Sequence, residues 1–236
     1  MANSVNPNRS SAASNQKPQF RMNKIHISLV ALVALFVSGC WWPGIRGNGH
    51  VVTDNRPVTE FSDVKADGTF EIEWRSGAPS LNITTDDNLL KYIESRVEGK
   101  TLHLHTSEQI RPTRRIKVLV TSPTLTGLSF EGAVRFTATQ LAGAKFYLET
   151  AGACKIMLGG NVDELLAEMD GASKLMAGEL HTKTADITTN GASKAEISAT
   201  ELLRVEINGA GKVTYYGHPK KVERQVNGAG SIKAGD

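Results

Sequence analysis

A glycine-alanine pair returns six times in the second half of this chain, at Gly132-Ala133, Gly152-Ala153, Gly171-Ala172, Gly191-Ala192, Gly209-Ala210 and Gly228-Ala229. A basic residue follows two places after the alanine in the first five copies, and Ser231 takes that place in the last. Successive glycines are 20, 19, 20, 18 and 19 residues apart. A unit that short cannot bury a core by itself and has to stack on its neighbours. Four places after each glycine stand Phe136, Ile156, Leu175, Ala195, Val213 and Ile232, and six places after it Ala138, Leu158, Ala177, Ile197, Tyr215 and Ala234. Four places before it the column reads Leu128, Leu148, Ala167, Ile187 and Val205, with Arg224 the one breach. Residues spaced by two share one face of a strand, so each repeat carries at least two strands with one face turned inward.

The glycine then marks the corner between those strands. The preceding Asp170, Asn190, Asn208 and Asn227 suit the same bend. The following alanine is expected to tuck into the turn. These columns predict an all-β parallel β-helix of about six coils of 18–20 residues. Val162 to Met169 would pass for a helix in isolation, but its apolar residues fall in the strand columns.

The first 39 residues read differently. Residues 1–21 are rich in Asn, Ser and Pro, and Met22-Asn23-Lys24 then opens a short basic segment before the apolar run from Ile27 to Val37. That run is too short to span a bilayer as a helix and reads as a secretory leader, with residues 1–21 an upstream extension of the reading frame. It ends in Val37-Ser38-Gly39-Cys40, which resembles a bacterial lipobox and implies cleavage before Cys40 and acylation of its thiol. Trp42 stands where an aspartate would favour inner-membrane retention, so the resemblance points to the outer membrane.

Removing Arg9, Lys17, Arg21 and Lys24 leaves 23 of the 27 basic residues against 24 acidic ones, so the mature charge is about −1. The formal charge of +3 on the whole chain is thus no argument for a nucleic-acid partner. With Cys40 acylated, Cys154 has no partner for an intrachain disulfide.

Residues 40–57 read as a lipid-anchored tether, and residues 58–236 as the folded domain. From Val58 onward alternation predicts strands at Phe70-Ile72-Trp74, Leu81-Ile83, Leu102-Leu104 and Ile116-Val118-Val120. A short helix is expected over Asp87 to Glu94, capped by Asp86 or Asp87. This N-terminal half is expected to cover the first coil of the stack, whose strand edges would otherwise be bare.

Several segments resemble the head GIN domain family, the heads of auto-transporter adhesins: Gly49-His50-Val51-Val52 through Arg56-Pro57-Val58 to Phe61, Asp87-Asn88-Leu89-Leu90 with Tyr92-Ile93, Ile116 to Val120, and Asn208-Gly209-Ala210-Gly211-Lys212-Val213. The resemblance spans nearly all of the mature chain and implies a right-handed β-helix. The family supplies no catalytic residues to transfer.

The chemistry-bearing candidate is the column three places after the glycines: Arg135, Lys155, Lys174, Lys194 and Lys212. Stacked coil on coil, it would form a basic ladder able to follow a polyanion such as an envelope polysaccharide. Glu131, Asp170 and Glu196 are near enough in sequence to neutralise it, which would leave ordinary surface charge. His103 and His105 share a strand face but lack a third metal ligand at a compelling spacing. Cys154 holds a slot filled by Ser173, Ser193, Gly211 and Gly230 in other coils, and has no aligned histidine to activate it.

No acid-base pair, nucleophilic triad, phosphate loop, metal site or cofactor motif is read. The expectation is therefore a non-catalytic, lipid-anchored envelope protein that binds polysaccharide or another surface protein. A polysaccharide-cleaving β-helix enzyme and a purely structural envelope component are the alternatives.

Overall fold

The computed structural model describes residues 44–235. The chain enters through β1 (Ile45–Arg46) and β2 (Val51–Arg56), followed by β3 (Asp63–Gly68), β4 (Phe70–Ser76) and β5 (Ser80–Asp86). A 3₁₀ turn over Asp87–Tyr92 leads into β6 (Ile93–Glu98), β7 (Thr101–Thr106), β8 (Ile110–Arg111) and β9 (Ile116–Ser122). Then come β10 (Gly127–Gly132) and four long strands: β11 (Arg135–Gly152), β12 (Lys155–Gly171), β13 (Lys174–Gly191) and β14 (Lys194–Gly209). β15 (Lys212–Tyr216), β16 (Lys221–Gly228) and β17 (Ser231–Ala234) complete the stack.

From β10 onward every pairing is parallel and in coil register, so the chain is a β-solenoid, as the repeat predicts. Each long strand bends where its register with a neighbour shifts, as between Ala138 and Leu141 or between Met157 and Gly159. The columns four and six places after the glycines fill the interior as far as Val213, with Phe136, Ile156, Leu175, Ala195 and Val213 at most 1% exposed, while Tyr215 and Ile232 are half-buried and Ala234 is exposed. The segment that could pass for a helix lies within β12, burying Leu165, Ala167 and Met169.

The stack begins earlier than the Gly-Ala repeat. Gly68 pairs with Gly132, and β3 and β4 lie in parallel register on β10 and β11. Gly68 therefore heads a coil whose interior positions, Val64 and Ile72, match the columns. Beneath it β7 pairs with β3 and β9 with β4, both parallel. Antiparallel β6, β5 and β2 then finish that end. The N-terminal half thus contributes coil as well as cover.

Three expectations are corrected. Residues 45–56, read as tether, pair into the domain: β1 lies on β8, and β2 runs antiparallel to β5. The turn alanines are not tucked inside. Ala153, Ala172, Ala192, Ala210 and Ala229 are exposed, and the next residue in each coil takes the interior place. Asp86 precedes the 3₁₀ turn without capping it through its side chain. Its carboxylate instead accepts from the Gly49 and Thr113 amides and from the Thr113 hydroxyl.

Arg224, the breach in the apolar columns, has a physical reason. It belongs to the last described coil, in β16, which among the described residues pairs only with β14. Its guanidinium donates to the Tyr215 hydroxyl at 2.5 Å and lies over the Tyr215 ring, 5.4 Å from the centroid. A cation in an inward column at the end of a solenoid gives the open core a polar cover.

Candidate functional site

The corner glycines build the surface on which the basic column stands. Gly132, Gly152, Gly171, Gly191, Gly209 and Gly228 all have positive φ, between 88° and 137°. A Cβ on any of them would meet the carbonyl oxygen of the glycine one coil below at 2.4–2.7 Å. That close approach lets the amides of Ala153, Ala172 and Ala192 donate to those carbonyls at 2.8, 2.8 and 2.9 Å. Two residues on, the amides of Lys155, Lys174, Lys194 and Lys212 donate to Val134, Cys154, Ser173 and Ser193 carbonyls at 2.7–2.9 Å. The corner is pinned on both sides, so the backbone beneath each cation is fixed rung over rung.

The five basic residues of the column stand in register on successive coils. Arg135 is in register with Lys155, Lys155 with Lys174, Lys174 with Lys194, and Lys194 with Lys212. Adjacent parallel strands are about 4.8 Å apart, so five cations follow the solenoid axis on one outward face. The column also runs further than the repeat revealed: Arg135 is paired with Glu71, and Glu71 with Lys117. Sequence reasoning missed these two because no Gly-Ala pair precedes them. The signal was present in the alternation of β4 once Gly68 is aligned as a corner.

Of the three carboxylates expected to neutralise the ladder, only Glu196 reaches it, 3.6 Å from Lys174 with both side chains about 45% exposed. Glu131 and Asp170 stand on the opposite side of the corner, where the Asn190 side chain donates to Asp170 at 2.7 Å. Among the described residues, Arg135, Lys155, Lys194 and Lys212 have no carboxylate within 4.0 Å.

Three cations elsewhere on the solenoid are paired: Lys145 with Glu164 at 2.6 Å, Lys183 with Asp163 at 2.8 Å and Arg204 with Glu223 at 2.8 Å. Donating hydrogen bonds to those carboxylates raises the pKa of all three cations. Unit charges at one-rung spacing repel by about 1 kcal/mol per pair in water before screening. Glu71, one rung from Arg135, and Glu196, beside Lys174, offset part of that repulsion.

The face on the other side of the corner has the opposite character. Asp63, Glu149, Glu168 and Asp186 line an open hollow of about 640 Å³ together with Lys65 and His103. His103 and His105 face Glu98 and Glu94 at 3.7 and 3.1 Å, as paired surface side chains on β6 and β7. Cys154 is buried against the Gly132 carbonyl, with its amide held by the Ser173 hydroxyl at 3.2 Å. Burial pushes its thiol pKa up, which disfavours the nucleophilic thiolate. Cys40 lies outside the described residues.

Structural corner glycines, a filled core and an exposed cation column define a β-solenoid. The chain belongs to the family described as "Putative auto-transporter adhesin, head GIN domain", whose profile matches residues 60–219.

Two solved structures share the fold. A "putative adhesin" from Bacteroides fragilis NCTC 9343 is 24% identical with a TM-score of 0.63, the alignment covering 81% of this chain and all of that one. A "putative lipid binding protein" from Parabacteroides distasonis ATCC 8503 is 22% identical with a TM-score of 0.50, covering 82% of this chain and all of that one. At these identities the likeness concerns fold alone. No curated protein sequence matches the chain.

Proposed function

We propose that this chain is a non-catalytic binding module of the cell envelope that holds an extended polyanion along the column from Arg135 to Lys212. The observation that carries this reading is the stack of like charges in register, in which only Lys174 has a carboxylate within 4.0 Å, whereas Lys145, Lys183, Arg204 and Lys221 on other faces each have one. An anionic chain lying across the rungs relieves the mutual repulsion. Each contact is weak at an exposed surface, and affinity comes from several acting together.

The test is retention of the delipidated protein on immobilised polygalacturonate. Changing Lys155, Lys174 and Lys194 together to Gln is expected to move the protein into the flow-through, with melting temperature and far-UV spectrum unchanged. The parent is expected to elute progressively earlier as salt rises towards 0.1 M, where screening acts within about 10 Å. A triple variant retained like the parent would overturn the reading.

The lipobox-like segment ending at Cys40 supports display by a lipid anchor at the membrane, with the outer membrane favoured by Trp42. Mass spectrometry of the native protein is expected to find Cys40 as an acylated N-terminus, and Cys40→Ser to release the protein into the soluble fraction. A chain that keeps its leader unmodified would exclude the anchor.

A further inference from the structure

Most glycines of this solenoid have a backbone reason to be glycine. They adopt positive φ, or a Cβ on them would strike a neighbour at 3.0 Å or less. Gly159 and Gly178 have neither. Neither has positive φ. A Cβ at Gly159 would find its nearest atoms at 3.4 Å, and one at Gly178 at 3.7 Å, which is ordinary contact. Both sit where the register shifts, but without positive φ the bend does not require glycine. Glycine within a strand costs conformational entropy and loses a side chain to pack, so two such residues on neighbouring coils call for another explanation.

Both line an open trough of about 880 Å³ on the face that carries the ladder. Met157 and Met176 stand two residues beyond Lys155 and Lys174, roughly 7 Å along the strands and on the same outward side. Met157 is 41% exposed. The Tyr216 ring overhangs the floor, its edge 3.7 Å from where a Cβ of Gly178 would be. Glu179, Glu196 and Thr200 supply acceptors at the margins, and no lysine or arginine lines the trough.

Resting on the polyanion reading above, we infer that the trough is a sugar-ring subsite beside the ladder. The ligand class is then an acidic polysaccharide whose carboxylates lie on Lys155, Lys174 and Lys194 while its pyranose rings occupy the trough. Glu179 and Glu196 with the single imidazole of His181 are the titratable groups of the trough, which holds no lysine or arginine, so the charged edge of the ligand faces the lysines of the ladder. Its body must be uncharged, rich in hydroxyl groups for Glu179, Glu196 and Thr200, and apolar on one face for Met157, Met176 and Tyr216. A polyuronate has these properties; polyphosphate has only the charge.

Gly178→Val fills the trough without demanding a new backbone conformation, and Met157→Ala removes an exposed apolar contact. Binding of the parent, both variants and the triple Lys→Gln variant to polygalacturonate and polyphosphate would be measured by calorimetry at one salt concentration, with melting temperatures as the fold control. Each trough variant is expected to lose about tenfold affinity for polygalacturonate, close to 1.4 kcal/mol, while binding polyphosphate as the parent does. The ladder variant is expected to lose both ligands.

Trough variants that keep parental affinity for polygalacturonate overturn the subsite and leave the ladder standing. A parent that binds neither polymer overturns the ladder reading and the subsite with it. A parent that prefers single-stranded oligonucleotide over polygalacturonate, losing that preference in Tyr216→Ala, assigns the trough to bases and overturns the sugar.

Discussion

Gly191→Val is expected to destabilise the protein by about 3 kcal/mol or more, and Lys174→Ala by no more than roughly 0.5 kcal/mol. Gly191 has a φ of 131°, a conformation that costs a β-branched residue about 1–3 kcal/mol. The added Cβ would also come within 2.4 Å of the Gly171 carbonyl oxygen. That oxygen accepts the Ala192 amide at 2.9 Å, so relieving the clash by opening the coils forfeits a backbone hydrogen bond worth about 1 kcal/mol.

In a domain of this size the loss corresponds to a fall in melting temperature of about 6–12 °C. Gly49→Ala separates the two causes, because Gly49 has a φ of 84° with nothing within 4 Å of the Cβ position. It should show the strain without the clash. Equal losses in Gly191→Val and Lys174→Ala, measured by denaturant unfolding, would refute the corner assignment.

Asp86→Ala is expected to cost about 2–3 kcal/mol, although Asp86 belongs to no coil. Its side chain is nearly inaccessible, with the residue 1% exposed. It ties three segments together by accepting from the Gly49 amide at 2.7 Å, the Thr113 amide at 2.9 Å and the Thr113 hydroxyl at 2.8 Å. Burial opposes its charge, but the Thr113 and Gly49 donors more than offset that and hold the pKa below the ordinary carboxylate value.

A carboxyl whose folded pKa is depressed contributes stability that is present above its unfolded pKa and lost as pH falls through the folded one. Unfolding free energy measured from pH 6 downward should therefore decline more steeply in the parent than in Asp86→Asn below about pH 4. Parallel curves would show that the Asp86 charge contributes nothing to holding these segments together.

The coil columns were legible because a stacked repeat shows its interior at every turn: Phe136, Ile156, Leu175, Ala195 and Val213 are one position seen five times. Gly68 was hidden because its coil has Thr69 and Glu71 where the motif has alanine and a cation, and because β5 to β9 intervene before the next corner. The exposure of the alanines was not legible. A small residue beside a turn suits a tight interior and an open surface equally well, and the crowding falls on the glycine.

Arg224 is a breach in a linear pattern that becomes intelligible only once β16 is seen to end the stack, its side chain over Tyr215. The ladder's register followed from the repeat, but its lack of partners depended on which side of the corner Glu131 and Asp170 fall. The trough left little trace in the sequence, since Gly159 and Gly178 stand among many glycines of ordinary structural purpose.

The contact of each corner glycine with the carbonyl of the glycine below has one more consequence. It sets the interval between the cations by backbone packing rather than by the side chains themselves. Arg135 and Lys212 are 77 positions apart in sequence, yet the four rung steps between them span only about 19 Å. The column is thus a scale with a fixed division. A polymer whose charges recur at that division is commensurate with it over its whole length, whereas one of another period drifts out of phase within a few rungs, however many charges it carries.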